Sequence, residues 1–324
     1  MASFLLFSVF FVMGTIFGSF ACCQAYRIRY RNLGKKIGKY SECLACGYRL
    51  KWFELIPIIS WLWLGGKCRR CGAKIGLIEL VSEIGMGVLF SLILVWGLQM
   101  AGWTISEMMA TGFGWQFEKI LIGLANLPIL IRMVLLMTVA VMSWVLLVYD
   151  MKWQELSSRL LFILIVVAGI YFMVNELVRL GILDAGLGDL KMMGWGRGGL
   201  NNGVGKILLN EVQRRELLGR DLLFLGGSIL VLPVLYFLLY KISKEKLVGG
   251  GDYLLTCFMV LFLWRVELAM SLLCLANLLA FACNAKNILV KQQKRIAFGP
   301  YLIVGFWVIF FLSQEILRYF YIVG

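Results

Sequence analysis

The 324-residue chain contains no histidine, and only 15% of its residues are charged. Without histidine there is no Ser-His-Asp or Cys-His catalysis, no HExxH zinc protease and no His-ligated metal site. Acid–base chemistry is left to carboxylates, Lys, Tyr or Cys. Ordinary soluble domains carry about 25% charge. With 61% hydrophobic residues and a mean hydropathy of +0.86, the composition excludes a soluble globular enzyme and predicts an all-α polytopic membrane protein. Proline is scarce, at 4, while glycine reaches 35, which suits closely packed membrane helices. Acids are outnumbered by bases, 18 to 32, for a net charge of +14. In a membrane protein that excess marks cytoplasmic loops rather than a nucleic-acid surface.

Hydropathy predicts about eight transmembrane helices. Residues 3–26 are apolar and precede the basic residues Arg27, Arg29, Arg31, Lys35, Lys36 and Lys39. That charge order predicts a retained first span with its N-terminus outside, not a cleaved signal peptide. Residues 27–76 carry twelve basic residues against Glu42 and Glu54, and are predicted to be a cytoplasmic loop. A second span is expected over 77–100 and an external loop over 101–118. Residues 120–149 contain Pro128 and Arg132 and read as an interfacial piece followed by a span at 131–149. Further spans are expected at 155–178, 222–240 and 300–321, with a polar loop at 179–220. Residues 253–284 are long for one span and short for two, so two short helices meeting near Arg265–Glu267 are expected.

Four of the nine cysteines form two Cys-x-x-Cys pairs, Cys43/Cys46 and Cys68/Cys71, separated by 21 residues. Each pair puts two thiolates on one tight turn, and four thiolates satisfy tetrahedral Zn²⁺. A reducing compartment favours metal over disulfides, and Lys67, Arg69, Arg70 and Lys74 offset the thiolate charge. The closed ligand set predicts a structural zinc. Cys22, Cys23, Cys257, Cys274 and Cys283 lie in apolar stretches and read as small packing residues.

Acidic residues at the membrane border are the other signal. Asp150 ends the run Val145–Tyr149, and Asp252 follows Gly249-Gly250-Gly251. Two carboxylates on one face can split their pKa values and activate water without histidine. A bland reading competes: Asp150 as a helix-end charge and Asp252 as a helix cap. Gly186-Leu187-Gly188-Asp189 offers a second Gly-x-Gly-Asp. One predicted span separates Asp150 from Asp189 and two separate it from Asp252. An even number of crossings returns the chain to the same face, so Asp252 is the expected partner. The 179–220 loop is basic for an external loop, and Lys191 follows Asp189 by two residues.

In this order the motifs resemble the prepilin peptidases (type IV leader peptidases) of the GxGD aspartic protease group. The resemblance runs through Gly14-Thr15-Ile16-Phe17-Gly18-Ser19-Phe20, Tyr26-Arg27 and both Cys-x-x-Cys pairs. It continues through Leu55-Ile56-Pro57 to Trp61, Gly66-Lys67-Cys68, Glu83, Asp150, Ser243–Asp252 and Phe298-Gly299-Pro300-Tyr301. The chain departs at Leu254, where the family usually has Lys, at Ala297 for Pro, and at Glu79 for an aromatic residue. The resemblance implies leader removal from type IV pilin-like precursors at the cytoplasmic face of the inner membrane, cut after Gly and before an often aromatic residue. Catalysis falls to Asp150 and Asp252. In many members the same chain then N-methylates the new terminus using S-adenosylmethionine, an activity associated with the cysteine-bearing loop. Residues 1–26, 27–76 and 77–324 then read as first helix, zinc-binding loop and transmembrane peptidase domain. Two other readings are a non-enzymatic membrane scaffold with a zinc-binding loop and a proton-coupled transporter using intramembrane acids such as Glu83.

Overall fold

A computed structural model describes residues 2–34, 40–101, 126–179, 211–243, 249–289 and 297–323. The helices are α1 (Ala2–Asn32), the short α2 (Ile59–Trp63), α3 (Leu77–Met100), α4 (Leu127–Trp153), α5 (Ser158–Arg179), α6 (Glu211–Ile229), α7 (Leu235–Ser243), α8 (Gly250–Phe262), α9 (Val266–Leu289) and α10 (Gly299–Val323). Seven helical stretches are long and apolar enough to cross a membrane, and α8 is a shorter apolar helix beside them. No strand occurs among the described residues, whose only β pairing is two isolated bridges.

Three boundaries differ from the sequence expectation. The interfacial piece before the third span is not a separate element over its described part. Pro128 sits in the first turn of one continuous helix, where a missing N–H costs nothing. Arg132 is fully buried inside α4, and its Nε donates to the Pro128 carbonyl at 3.1 Å. Second, residues 211–220 are helical rather than loop, so α6 starts well before position 222. Third, the 253–284 stretch divides unequally. α8 has 13 residues and α9 has 24. The break between them is held by Ser228, whose Oγ donates to the Trp264 carbonyl at 2.9 Å. Between α6 and α7 a π-turn, Leu230–Val234, absorbs Pro233.

The expected loops at 101–118 and 179–220 lie largely outside the described residues, as do the Gly186–Asp189 motif and Lys191.

α1 packs on α3 and α4, α4 on α3, α5 and α10, and α5 on α8. Two glycines bring α1 and α3 into backbone contact. A Cβ at Gly14 would lie 2.4 Å from the Met86 carbonyl oxygen, and one at Gly18 would lie 2.4 Å from the Ser82 carbonyl oxygen. In lipid, where water gives no drive to association, such small-residue seams let dispersion hold helices together. A buried hydrogen bond from Trp307 Nε1 to Ser143 Oγ (3.2 Å) ties α10 to α4.

Candidate active site and metal centre

Asp150 lies in the last turn of α4, three residues before the helix ends at Trp153. Gln154 follows in the left-handed region at φ 53° and turns the chain. Asp252 lies in the first turn of α8. Although two spans separate them in sequence, the two carboxylates come within electrostatic range of each other, and both are buried.

Glycines close the approach. The Gly299 N–H hydrogen-bonds to the Asp150 carboxylate. A Cβ on Gly299 would lie 2.5 Å from Asp150 Oδ2. The Gly249 N–H donates to Asp252 Oδ2 at 3.0 Å. Gly251 lets α8 settle on the turn after Asp150, since a Cβ there would lie 2.5 Å from Leu156 Cβ. Each aspartate is thus held by one glycine amide, a charge-assisted contact that fixes its orientation. Tyr236 of α7 lies within electrostatic range of Asp252 and packs on Phe298, ring centroids 5.9 Å apart. Tyr253 adjoins Tyr240 and Phe237, at 5.9 and 5.6 Å. An aromatic wall therefore borders the carboxylates.

The structure also brings the four loop cysteines together. The Sγ atoms of Cys43, Cys46, Cys68 and Cys71 all lie within 4.8 Å of one another, and Cys43 and Cys71 are 3.9 Å apart. The two halves repeat one design. Cys43 N donates to Tyr48 O and Gly47 N to Cys43 O, while Cys68 N donates to Ala73 O and Gly72 N to Cys68 O. Gly47 and Gly72 carry φ of +68° and +69°. Each Cys-x-x-Cys turn therefore needs glycine next, a signal present in the sequence as two Cys-x-x-Cys-Gly motifs. The amides of Cys71 and Arg70, aimed at the Cys68 sulfur, lower its thiol to about 7. Cys71 also receives an amide, from Ala73, but the facing sulfur of Cys46 and burial push it up to about 11. Four sulfurs this close resist full ionisation without a cation among them. The donor set fits a tetrahedral thiophilic metal.

Between this loop and the membrane helices runs a second acidic group that the sequence reading did not assign to a site. Lys152, two residues past Asp150, donates to Glu79 Oε1 at 2.7 Å and to the Tyr26 hydroxyl. Arg29 of α1 pairs with Glu155. Glu83 accepts the Ile58 N–H at 2.7 Å. Ile58 is a β-branched residue at φ 63°, strained backbone that Glu83 helps to hold. Glu83 therefore anchors the cysteine loop to α3, which leaves the transporter reading without its mid-span acid. No single motif signals this cluster. Its members are 53 and 126 residues apart in sequence.

The fold and these sites define a helical membrane protein with a buried carboxylate pair and a four-cysteine cluster on the loop beside it. Residues 12–97 match the bacterial peptidase A24 N-terminal domain. Curated relatives named prepilin leader peptidase/N-methyltransferase are similar over shorter stretches. The protein from Myxococcus xanthus is 39% identical over 101 residues, covering 31% of this chain and 28% of the relative. That from Vibrio cholerae is 32% identical over 87 residues, 25% of this chain and 34% of the relative. That from Bacillus subtilis is 36% identical over 84 residues, 26% and 33%. These matches support a prepilin peptidase. The aligned stretch spans about a third or less of each of these relatives. No solved structure matches the chain.

Proposed function

We propose that this chain is a membrane aspartic endopeptidase that removes the leader of type IV pilin-like precursors, with Asp150 and Asp252 as its catalytic pair. The observation that carries the reading is the meeting of these two buried carboxylates, each oriented by a glycine amide. One carboxylate takes a proton from water as its oxygen attacks the scissile carbonyl carbon. The other gives a proton to the departing nitrogen as the C–N bond breaks. The products are a leader ending in a carboxylate and a new amino terminus. The aromatic wall of Tyr236 and Phe298 suits an aromatic residue after the cleaved bond. A precursor enters laterally, its apolar helix remaining in the bilayer.

The site faces the cytoplasm of the inner membrane in this reading. Lys152 and Glu155 contact Tyr26 and Arg29 at the end of α1, next to the basic loop, and basic loops stay inside. Cys43, Cys46, Cys68 and Cys71 hold a structural Zn²⁺ that shapes the loop. The relatives' names support a second activity, N-methylation of the new terminus. S-adenosylmethionine, when bound, supplies the methyl group.

Leader cleavage by membranes carrying Asp150→Asn, Asp252→Asn or Asp189→Asn tests the assignment. Loss of one acid–base group costs about 10²–10⁴-fold in rate, so the first two variants lose cleavage and the third keeps it. Loss in the third with activity in the second would transfer the role to Asp189. A wild-type chain that cleaves no such precursor would remove the peptidase reading.

A further inference from the structure

The cysteine loop leaves an apolar face uncovered. The short helix α2 stands between two surroundings. Trp61 and the capping Leu64 turn inward and line the space between the loop, α1 and α3. Ile59, Leu62 and Trp63 are exposed on the other side. The turn before α2 packs on it and adds Trp52, Phe53 and Leu55, also exposed. Trp52 and Phe53 touch edge to face, ring centroids 5.8 Å apart. Trp63 is 86% exposed and Trp52 77%. Apolar surface of this size is unfavourable in water, and a clustered patch marks an interaction site.

The rim of this face is basic. Lys51 Nζ and the Arg69 guanidinium both lie over the Phe53 ring, 6.0 and 5.5 Å from its centre. Lys67, Arg70 and Lys74 are exposed on the same loop. Glu54, the acid within the patch, is buried and accepts the Lys51 N–H at 2.8 Å. The depth of the face is set by α3. The Ile58 N–H, where the chain enters α2, is bound by Glu83. Glu83 lies six residues past Leu77, about 9 Å along the axis of α3. Leu77, Val81 and Ile84 around that level are exposed apolar residues of a membrane-crossing helix. The start of α2 is therefore level with the apolar stretch of α3 rather than beyond its end.

We propose that the cysteine loop docks on the bilayer itself. Trp52, Ile59, Leu62 and Trp63 enter the interface of the adjoining leaflet, and Lys51, Arg69 and Arg70 meet its anionic headgroups. This contact is additional to the spans and is independent of the peptidase reading. Three features select a lipid surface over a protein partner. Both ends of the loop continue into membrane helices, α1 and α3, so the bilayer is the apolar phase always within reach. Tryptophan favours the boundary between headgroups and acyl chains. Apolar insertion together with basic attraction supplies the two signals that stable interfacial binding needs. Arg69 and Arg70 are the middle residues of the second Cys-x-x-Cys turn. Docking there holds the four-cysteine cluster against the membrane surface.

Photolabelling of the purified zinc-loaded chain in nanodiscs tests this directly. The probe is phosphatidylglycerol with a diazirine on one acyl chain, and adducts are mapped by peptide mass spectrometry. Adducts are expected on residues 52–63 as well as on the membrane helices. Phosphatidylcholine with the same acyl diazirine should label the loop less and the helices equally. Trp52→Ser with Trp63→Ser should lose most loop adducts and keep those on the helices. Lys51→Gln with Arg69→Gln and Arg70→Gln should lose the preference for phosphatidylglycerol. Zinc content and melting temperature on each variant separate lost lipid contact from lost folding, and labelling of the wild-type chain decides the case if a variant unfolds. Labelled helices with an unlabelled loop would overturn the proposal. Loop adducts that disappear when a pilin-like precursor is added would overturn it too, and would assign the face to a protein partner.

Discussion

The Gly299 amide hydrogen-bonds to the Asp150 carboxylate across two helices, and a Cβ at position 299 would lie 2.5 Å from Asp150 Oδ2. The glycine of the Phe298-Gly299-Pro300 motif is therefore a spacer that lets α10 start against the carboxylate. Gly299→Ala should displace Asp150 and cut the cleavage rate by about 10²-fold, the scale set by a misplacement of about 1 Å. Precursor-cleavage kinetics check it, and undiminished turnover would show that Asp150 tolerates the shift.

The α1–α3 seam makes a second prediction. Gly18→Leu forces a side chain into the Ser82 carbonyl. Overpacking of this kind costs about 1–3 kcal/mol or more. The variant should melt earlier in detergent than Ala21→Gly, which lies in the same helix but fills no carbonyl. Equal melting temperatures would mean that the two helices are held elsewhere.

The organisation of the chain was legible in the sequence to different depths. Span positions followed from apolar runs, and the four-cysteine cluster followed from spacing, because local turns set both. Counting crossings pointed to Asp252 as the partner of Asp150, and the structure places those two within electrostatic range, while Asp189 lies outside the described residues. The cap reading of Asp252 was partly right as well: its side chain accepts the Gly249 N–H while also facing Asp150. What was not legible was the Tyr26–Glu79–Lys152 cluster. Glu79 registered only as a departure from an aromatic position, and its partners are set by tertiary packing. The helix through Pro128 was missed because a proline inside an apolar run reads as an interruption unless it falls in the first turn.

Removal of metal gives a third prediction. Cys43→Ser should lower bound zinc from one to none per chain and expose the loop to limited proteolysis, because an apo site loses its folding energy. Metal should also leave on acidification. Protons compete with the metal for the thiolates. Full zinc content in the variant, measured by atomic emission, would show that the four sulfurs are not its ligands.

Lys152 gives a fourth. Lys152→Met removes the ion pair to Glu79, whose side chains are 19% and 23% exposed. Leaving Glu79 uncompensated should loosen the end of α4 that carries Asp150. The precursor KM should rise or kcat fall several-fold, with partial recovery in Lys152→Arg. Kinetics equal to wild type would confine the pair to the surface, where such contacts are worth about 0–1 kcal/mol.

The central claim is that Asp150 and Asp252 act as one unit on one water. The most direct measurement is a double-mutant cycle on precursor cleavage, using Asp150→Asn, Asp252→Asn and both together, with zinc content confirming folding. Residues that act as a unit are strongly non-additive. The account predicts that either single variant loses nearly all activity and that the double variant is no slower. Substantial cleavage by either single variant, or losses that multiply in the double, would contradict it.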